Sequence, residues 1–482
     1  MKQPEFSSAK LVGLFLGPAF FALISLISPD VYLSPDAWKV IGVALWMITW
    51  WITEAAPIPV TALLPIVLFP LTGIFTIDEA TAPYANKIIF LFMGGFMLGL
   101  AMEKHNLHKR IALNLIKKTG TNPNGIILGF MLTTAFISMW ISNTATTVMM
   151  LPIALSITSL LEVGANSDKG KKRFALALML SIAYSANVGG TATIIGTPPN
   201  VAWVGFMNDM VGYEVTFSRY LAIGLPICFL MLGVVYLLLT RVLFPCHLSN
   251  LTESSQVIDD QLNELGRISV AEKRVALIFV ITAMTWILRG TINDLLQTNL
   301  LNDAMIAMAG GILMFITPVH IRKAEFLMNW EYTKKLPWGI LILFGGGLTL
   351  AKAMEKSDIV QIVGESIAGS GELNQILLIA GLTAFMLFMT EVMSNVALVV
   401  IFLPVVIGIS QSLEMNPMYL TVPVTLAASF AFMMPISTPP NAIVFSSGMI
   451  KMKDMMRAGI LLNIIAILLL VILSQTLVPL IY

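Results

Sequence analysis

Charge is what this chain of 482 residues has least of: Asp, Glu, Lys and Arg together make up 11% of it, against 57% apolar residues. A soluble domain carries about 25% charged and roughly 45–50% apolar residues, so a water-exposed fold is excluded. Apolar runs recur from Leu11 to the end. Each is long enough, at about 18 residues or more, for a hydrocarbon core of about 30 Å. No soluble domain is left over. Lys2 and Lys10 flank the start of the first run, and no small-residue cleavage site ends it, so it reads as a retained span rather than a signal peptide. Cysteine and histidine are scarce as well. Cys228 and Cys246 have neither disulfide nor metal spacing and read as packing residues. His105, His108, His247 and His320 are expected in polar connections, which argues against a buried histidine relay or a histidine-held metal. A net charge of +1 gives no footprint for nucleic acid.

What is there is a sequence that contains itself twice. Under a shift of 252 residues, Phe92, Gly94, Gly95, Leu98 and Ala101-Met-Glu-Lys104 fall on Phe344, Gly346, Gly347, Leu350 and Ala353-Met-Glu-Lys356. Ser142-Asn143 falls on Ser394-Asn395, and Leu151-Pro152 on Leu403-Pro404. After an 11-residue shortening, Thr197-Pro-Pro-Asn200 falls on Thr438-Pro-Pro-Asn441. Internal repeats of this kind are a recurrent plan of secondary transporters.

Charge orients the two copies, because Lys and Arg accumulate in cytoplasmic loops. From Glu103 to Thr121 five basic residues (Lys104, Lys109, Arg110, Lys117, Lys118) face one acid, whereas Lys352 to Asn374 has two basics and four acids. The first copy is therefore expected to face in and the second out. Lys169, Lys171, Lys172 and Arg173 put the linker 162–173 inside too. Residues 124–161 then start and end on one side, as a re-entrant hairpin with Ser142-Asn143 at its tip, and 375–413 is the outward equivalent. Four crossings, at about 174–214, 219–243, 273–290 and 303–318, separate and invert the copies. Lys451, Lys453 and Arg457 lie inside and 458–482 forms a last span, which places the N-terminus in the cytoplasm and the C-terminus outside. The acidic loop from His247 to Leu265, also placed inside, runs against this pattern. The expectation is an all-α polytopic membrane protein of about eleven transmembrane helices plus two re-entrant hairpins, in the cell's inner (plasma) membrane.

Irregular backbone within a bilayer survives only against protein, water or a ligand. In Gly189-Gly190-Thr-Ala-Thr-Ile-Ile-Gly196-Thr-Pro-Pro-Asn200 the glycines permit unwinding and the prolines forbid helix continuation, freeing carbonyls to face a cation. Pro435 to Asn441 can do the same. One such segment is compatible with a packing kink; two in symmetric positions, each paired with a Ser-Asn tip, point to a site. Ser142, Asn143, Thr144, Ser394 and Asn395 offer oxygens to a hard cation such as sodium and donors to an anion. Residues 122–161, 174–208 and 415–450 carry no charged side chain, and 373–413 carries only Glu391. An anionic substrate would thus be balanced by bound cations, hydroxyls and helix N-termini, which points to cation-coupled transport. Glu391 is either a lone proton carrier or a structural acid bonding nearby backbone. A channel would not need two mirror-image sites, and an enzyme would need a nucleophile or a metal cluster inside the spans.

Nearly the whole chain resembles the divalent anion/sodium symporters, the INDY-type di- and tricarboxylate transporters. The resemblance rests on Ser142-Asn143-Thr144, Ser394-Asn395, both Thr-Pro-Pro-Asn segments and Trp51-Ile-Thr-Glu-Ala-Ala-Pro57. It implies a homodimer whose scaffold holds the interface while a transport domain moves as an elevator. The corresponding division is 1–75 scaffold, 85–214 first transport repeat, 219–318 scaffold and cytoplasmic loop, 337–450 second transport repeat, and 458–482 last span. By motif, one sodium would lie at Ser138, Ser142, Asn143 and the Gly196 carbonyl. A second would lie at Thr390, Ser394, Asn395 and the Ser437 carbonyl. Substrate carboxylates would contact Ser142, Asn143, Thr144, Thr197, Ser394, Asn395 and Thr438, with Pro198 and Pro439 shaping the pocket. The second motif departs from the first, since Val396 lacks the hydroxyl of Thr144, so the two ends of the pocket should differ. The resemblance implies sodium-coupled symport of C4-dicarboxylates such as succinate, malate and fumarate into the cell. Obligate carboxylate exchange, and carriage of citrate or sulfate, share the fold and stay open. Glu54 reads as a structural anchor at a cytoplasmic turn, and His105 to Lys118 as a basic interfacial helix.

Overall fold

The computed structural model describes residues 8–27, 33–161, 169–246, 248, 251–368 and 374–482. His247 and most of the linker 162–173 lie outside them. Apart from a two-stranded ribbon, Pro318–His320 with Glu325–Phe326, the regular structure of the described residues is helical.

The chain opens with α1 (Ser8–Ile27), α2 (Pro35–Thr53), the short α3 (Ile58–Thr61) and α4 (Leu64–Thr72), and α5 (Ile77–Thr81). The first copy follows as α6 (Lys87–Lys104), α7 (Leu107–Lys118), the hairpin α8 (Pro123–Ser138) and α9 (Asn143–Ser159), and the broken pair α10 (Lys169–Gly190) and α11 (Pro198–Met210). Next come α12 (Phe217–Leu237), which runs into a π-helical turn, then α13 (Thr252–Leu265), α14 (Val270–Leu295) and α15 (Asp303–Ile316). The second copy repeats the first as α16 (Trp338–Lys356), α17 (Ile359–Ala368), the hairpin α18 (Gln375–Met389) and α19 (Asn395–Ser412), and the broken pair α20 (Met418–Ser429) and α21 (Pro439–Phe445). α22 (Met452–Thr476) and a final turn close the chain.

Seven helical segments of the described residues are long and apolar enough to cross a bilayer alone. α8, α18 and α20 are shorter apolar helices because each is one arm of a hairpin or one half of a broken span. At the centre stands α10, where every residue from Phe174 to Gly190 is buried. A helix without a polar face belongs inside protein. Glycine lets the first copy dock on the intervening helices: a Cβ on Gly94 of α6 would lie 2.5 Å from the Ala307 backbone of α15.

α7 is the amphipathic helix read from the basic stretch. His108, expected in a polar connection, is instead buried on its inner face, where Nδ1 meets the Met102 carbonyl at 3.1 Å and burial pushes the imidazole pKa below its ordinary value. The acidic stretch expected as a loop is the helix α13, packed against α7. Lys117 pairs with Asp259 at 2.6 Å, and Arg110 grips Glu272 at the start of α14 at 2.6 Å while donating to the Gly266 carbonyl at 2.9 Å. Acid and base therefore lie on the same side of the fold, and the charge pattern that ran against the topology is neutralised locally. Glu54 ends α2 in the left-handed region and pairs with Lys10 at 3.4 Å.

Candidate functional site

Both breaks are built the same way. A residue before proline is pushed to extended backbone, and proline is tolerated at the first helical position. Thr197 (φ −146°, ψ 143°) and Thr438 (φ −141°, ψ 150°) accordingly act as N-caps, with Pro198 and Pro439 opening α11 and α21. The final Asn of each motif then ties down the unwound strand. Asn200 Nδ2 donates to the carbonyls of Gly190 (3.1 Å) and Thr193 (2.8 Å), and Asn441 Nδ2 to those of Ala431 (3.0 Å) and Met434 (3.1 Å). These are equivalent positions under the repeat. The motif asparagines are thus staples that keep a broken helix in one shape.

At each hairpin tip a hydroxyl, an amide oxygen and a carbonyl converge. Ser138 Oγ lies 2.6 Å from Asn143 Oδ1 and 2.8 Å from the Ala186 carbonyl. Thr390 Oγ1 lies 2.7 Å from both Asn395 Oδ1 and the Ala428 carbonyl. A hydroxyl has a single proton, and both its neighbours are acceptors. Each cluster is therefore one proton short, a donor set of oxygens suited to a small hard cation such as sodium. Gly190 has to be glycine here, since a Cβ would sit 2.6 Å from Asn143 Oδ1.

Between the tips lies a cavity of about 900 Å³. Its wall includes Ser142, Asn143, Thr144, Gly196, Thr197, Pro198, Ser394, Asn395, Val396, Ser437, Thr438 and Pro439. Ser138 and Thr390, both fully buried, stand behind it. The charged residues on the wall are Glu54, Glu103 and Lys335, all partly exposed. The α9, α11 and α19 helices start at the cavity, so their N-terminal N–H groups and dipoles favour an anion there.

Four residues take part without a signal in the repeat pattern. Asn187, on the fully buried α10, lines the cavity and crosses to the second copy, donating from Nδ2 to the Ala431 carbonyl and to Thr438 Oγ1, both at 3.1 Å. The carbonyls of Ala186 and Ala428 join the oxygen clusters from regular helix. Glu391 resolves to a structural acid: it accepts from the N–H groups of Phe432 (2.8 Å), Met433 (2.9 Å) and Met434 (3.1 Å), and from Asn463 Nδ2 (2.9 Å).

Helices broken in symmetric positions around one central cavity define a repeat-built secondary transporter. A solved structure with this fold is that of the Alcanivorax borkumensis YdaH transporter, with a TM-score of 0.57 over 97% of this chain and 96% of that one; at 14% identity the likeness is one of fold. The sodium:sulfate symporter transmembrane region matches residues 8–481, and the chain belongs to that family. Among its relatives are the sodium-dependent dicarboxylate transporters SdcS of two staphylococci. The Staphylococcus aureus (strain USA300) protein is 40% identical over 100% of this chain and 93% of its own length, and that of Staphylococcus saprophyticus 38% identical over 98% and 92%.

Proposed function

We propose that this protein carries C4-dicarboxylates together with sodium ions across the cell membrane; its staphylococcal relatives are named sodium-dependent dicarboxylate transporters. The observation that supports this most is the pair of proton-poor oxygen clusters flanking a cavity whose charged lining, among the described residues, is Glu54, Glu103 and Lys335. With no Arg or Lys between the tips, a dianion there needs bound cations for charge balance. Sodium enters as cargo, one ion at Ser138, Ser142, Asn143 and the Gly196 carbonyl and one at Thr390, Ser394, Asn395 and the Ser437 carbonyl, with Ala186 and Ala428 adding a carbonyl to each. The carboxylates meet Ser142, Asn143, Thr144 and Thr197 at one end and Ser394, Asn395 and Thr438 at the other. Pro198, Pro439 and Val396 shape the wall between.

The working cycle is an elevator in a homodimer, the hairpins and broken helices moving against a scaffold of the first helices and α12–α15. The cavity opens beside Glu54, Glu103 and Lys335, on the side of the basic α7, which supports reading it as inward-facing, with the N-terminus inside and the C-terminus outside. The test is uptake of labelled succinate into proteoliposomes with and without an inward sodium gradient, in competition with citrate and sulfate. Accumulation driven by the gradient and competed by C4-dicarboxylates supports the reading. Accumulation that ignores sodium but needs internal dicarboxylate would overturn it in favour of exchange.

A further inference from the structure

The two threonines that open α11 and α21 are equivalent in sequence and in backbone, but their hydroxyls are not. Thr438 Oγ1 accepts two hydrogen bonds, from the Asn441 N–H at 3.3 Å and from Asn187 Nδ2 at 3.1 Å. The direction of the second is settled by its surroundings. Asn187 Nδ2 also faces the Ala431 carbonyl, which can only accept, so the amide nitrogen and not the oxygen points toward Thr438. With both lone pairs of Thr438 engaged, its proton is the one capacity left, and among the described residues the hydroxyl donates to none. Thr438 lines the cavity. Thr197 caps its helix with no side-chain bond, and its hydroxyl has no partner among the described residues, so it is free to donate or accept.

The repeat supplies no second Asn187. Matched through the hydroxyls of Ser138 and Thr390, which reach the carbonyls of Ala186 and Ala428, the counterpart of Asn187 is Ser429; in the register of the Thr-Pro-Pro-Asn motifs it is Ala428, and neither is an amide. Ser429 also lines the cavity, but its hydroxyl is buried with no partner and does not engage Thr197. The cross-repeat bond runs one way only.

We propose that Asn187 is a positioning residue that turns the Thr438 hydroxyl into an obligate donor. The Thr438 end of the cavity is then selective for a hydrogen-bond acceptor, which an ionised carboxylate supplies, while the Thr197 end tolerates groups that donate as well as accept. The proposal rests on the reading of the cavity as a dicarboxylate site.

Equilibrium binding of succinate at saturating sodium, on the purified full-length protein in wild-type, Asn187→Ala, Thr438→Val and double-mutant forms, tests it. Retention of a sodium-induced rise in melting temperature reports that each variant is folded with its cation sites intact. Thr438→Val is expected to weaken succinate binding about tenfold, as loss of one hydrogen bond to a charged group does. Asn187→Ala is expected to weaken it roughly five-fold in the wild-type background and to have no further effect in the Thr438→Val background. Equal losses in both backgrounds would overturn the proposal, since Asn187 would then act without Thr438. If Thr438→Val binds succinate normally, the assignment of Thr438 to the substrate fails, and the proposal with it, while sodium stabilisation still reports on the cation sites. Should Asn187→Ala not fold, Asn187→Asp carries the same cycle. It keeps the volume but draws the Thr438 proton to itself, and is expected to bind succinate more weakly than wild type only while Thr438 is present.

Discussion

The two repeats share their chemistry and differ in how it is held. In the first, the unwound strand supports itself: the N–H groups of Thr191 and Ala192 bond back to Val188 and Gly189, and Thr193 Oγ1 reaches the Met139 carbonyl. In the second, the residue equivalent to Met139 is Glu391, and its carboxylate gathers the N–H groups of Phe432, Met433 and Met434. The tips differ in the same sense. Trp140 stacks on Phe217 and stands edge-on to Phe279, and Ile195 is buried against Gly95. Their counterparts Val392 and Ile436 are 69% and 76% exposed, on the cavity wall. The oxygen clusters and the asparagine staples recur in both copies, and the packing around them does not.

The largest test of the shared chemistry is at the asparagines of the tips. Asn143→Ala and Asn395→Ala are each expected to reduce sodium-driven uptake on the order of 100-fold or more, equivalent to about 2.7 kcal/mol, because each removes the amide oxygen of one cluster. Activity surviving in one variant alone would show that the clusters are not functional equals. The difference in support is next. Glu391→Ala leaves the buried N–H of Phe432 and the part-buried N–H groups of Met433 and Met434 without their acceptor and should destabilise the protein by about 3 kcal/mol, whereas Asn200→Ala in the first copy should cost about 1–2 kcal/mol. Thermal melting in detergent compares the two, and equal losses would mean that the carboxylate holds its strand no more strongly than Asn200 holds the first. The mildest perturbation sharpens the contrast in packing. Val392→Cys and Ile436→Cys should react readily with a membrane-impermeant thiol reagent applied from the cavity side and slow when sodium and succinate are added, while Ile195→Cys stays protected in this state. The native thiols Cys228 and Cys246 are buried and give little background. Equal labelling of Ile195→Cys and Ile436→Cys would remove the contrast in packing between the two breaks.

Much of this was legible in the sequence because a repeat doubles every signal. The hairpins expected at 124–161 and 375–413 are α8–α9 and α18–α19, and the breaks fall at the Thr-Pro-Pro-Asn motifs. Residues without a counterpart escaped. Asn187 is a single polar residue on a helix buried all round, matched in the second copy by Ser429, so a search for symmetry passes over it. The role of Asn200 and Asn441 was hidden for another reason: their partners lie 7 and 10 residues upstream, on carbonyls that only the unwound backbone brings within reach. The acidic stretch before Leu265 reads as a loop by its charge, but the spacing of Val257, Ile258, Leu262 and Leu265 puts an apolar stripe on one side of a helix.

The pairing of Lys117 with Asp259 has a consequence for how the chain is made. The partners are 142 residues apart, so at about 5–20 residues per second the ribosome takes on the order of 7–30 s to deliver the acid after the base. For that interval Lys117 has no Asp259 to pair with, and the basic charge of α7 is offset only once α13 has been made.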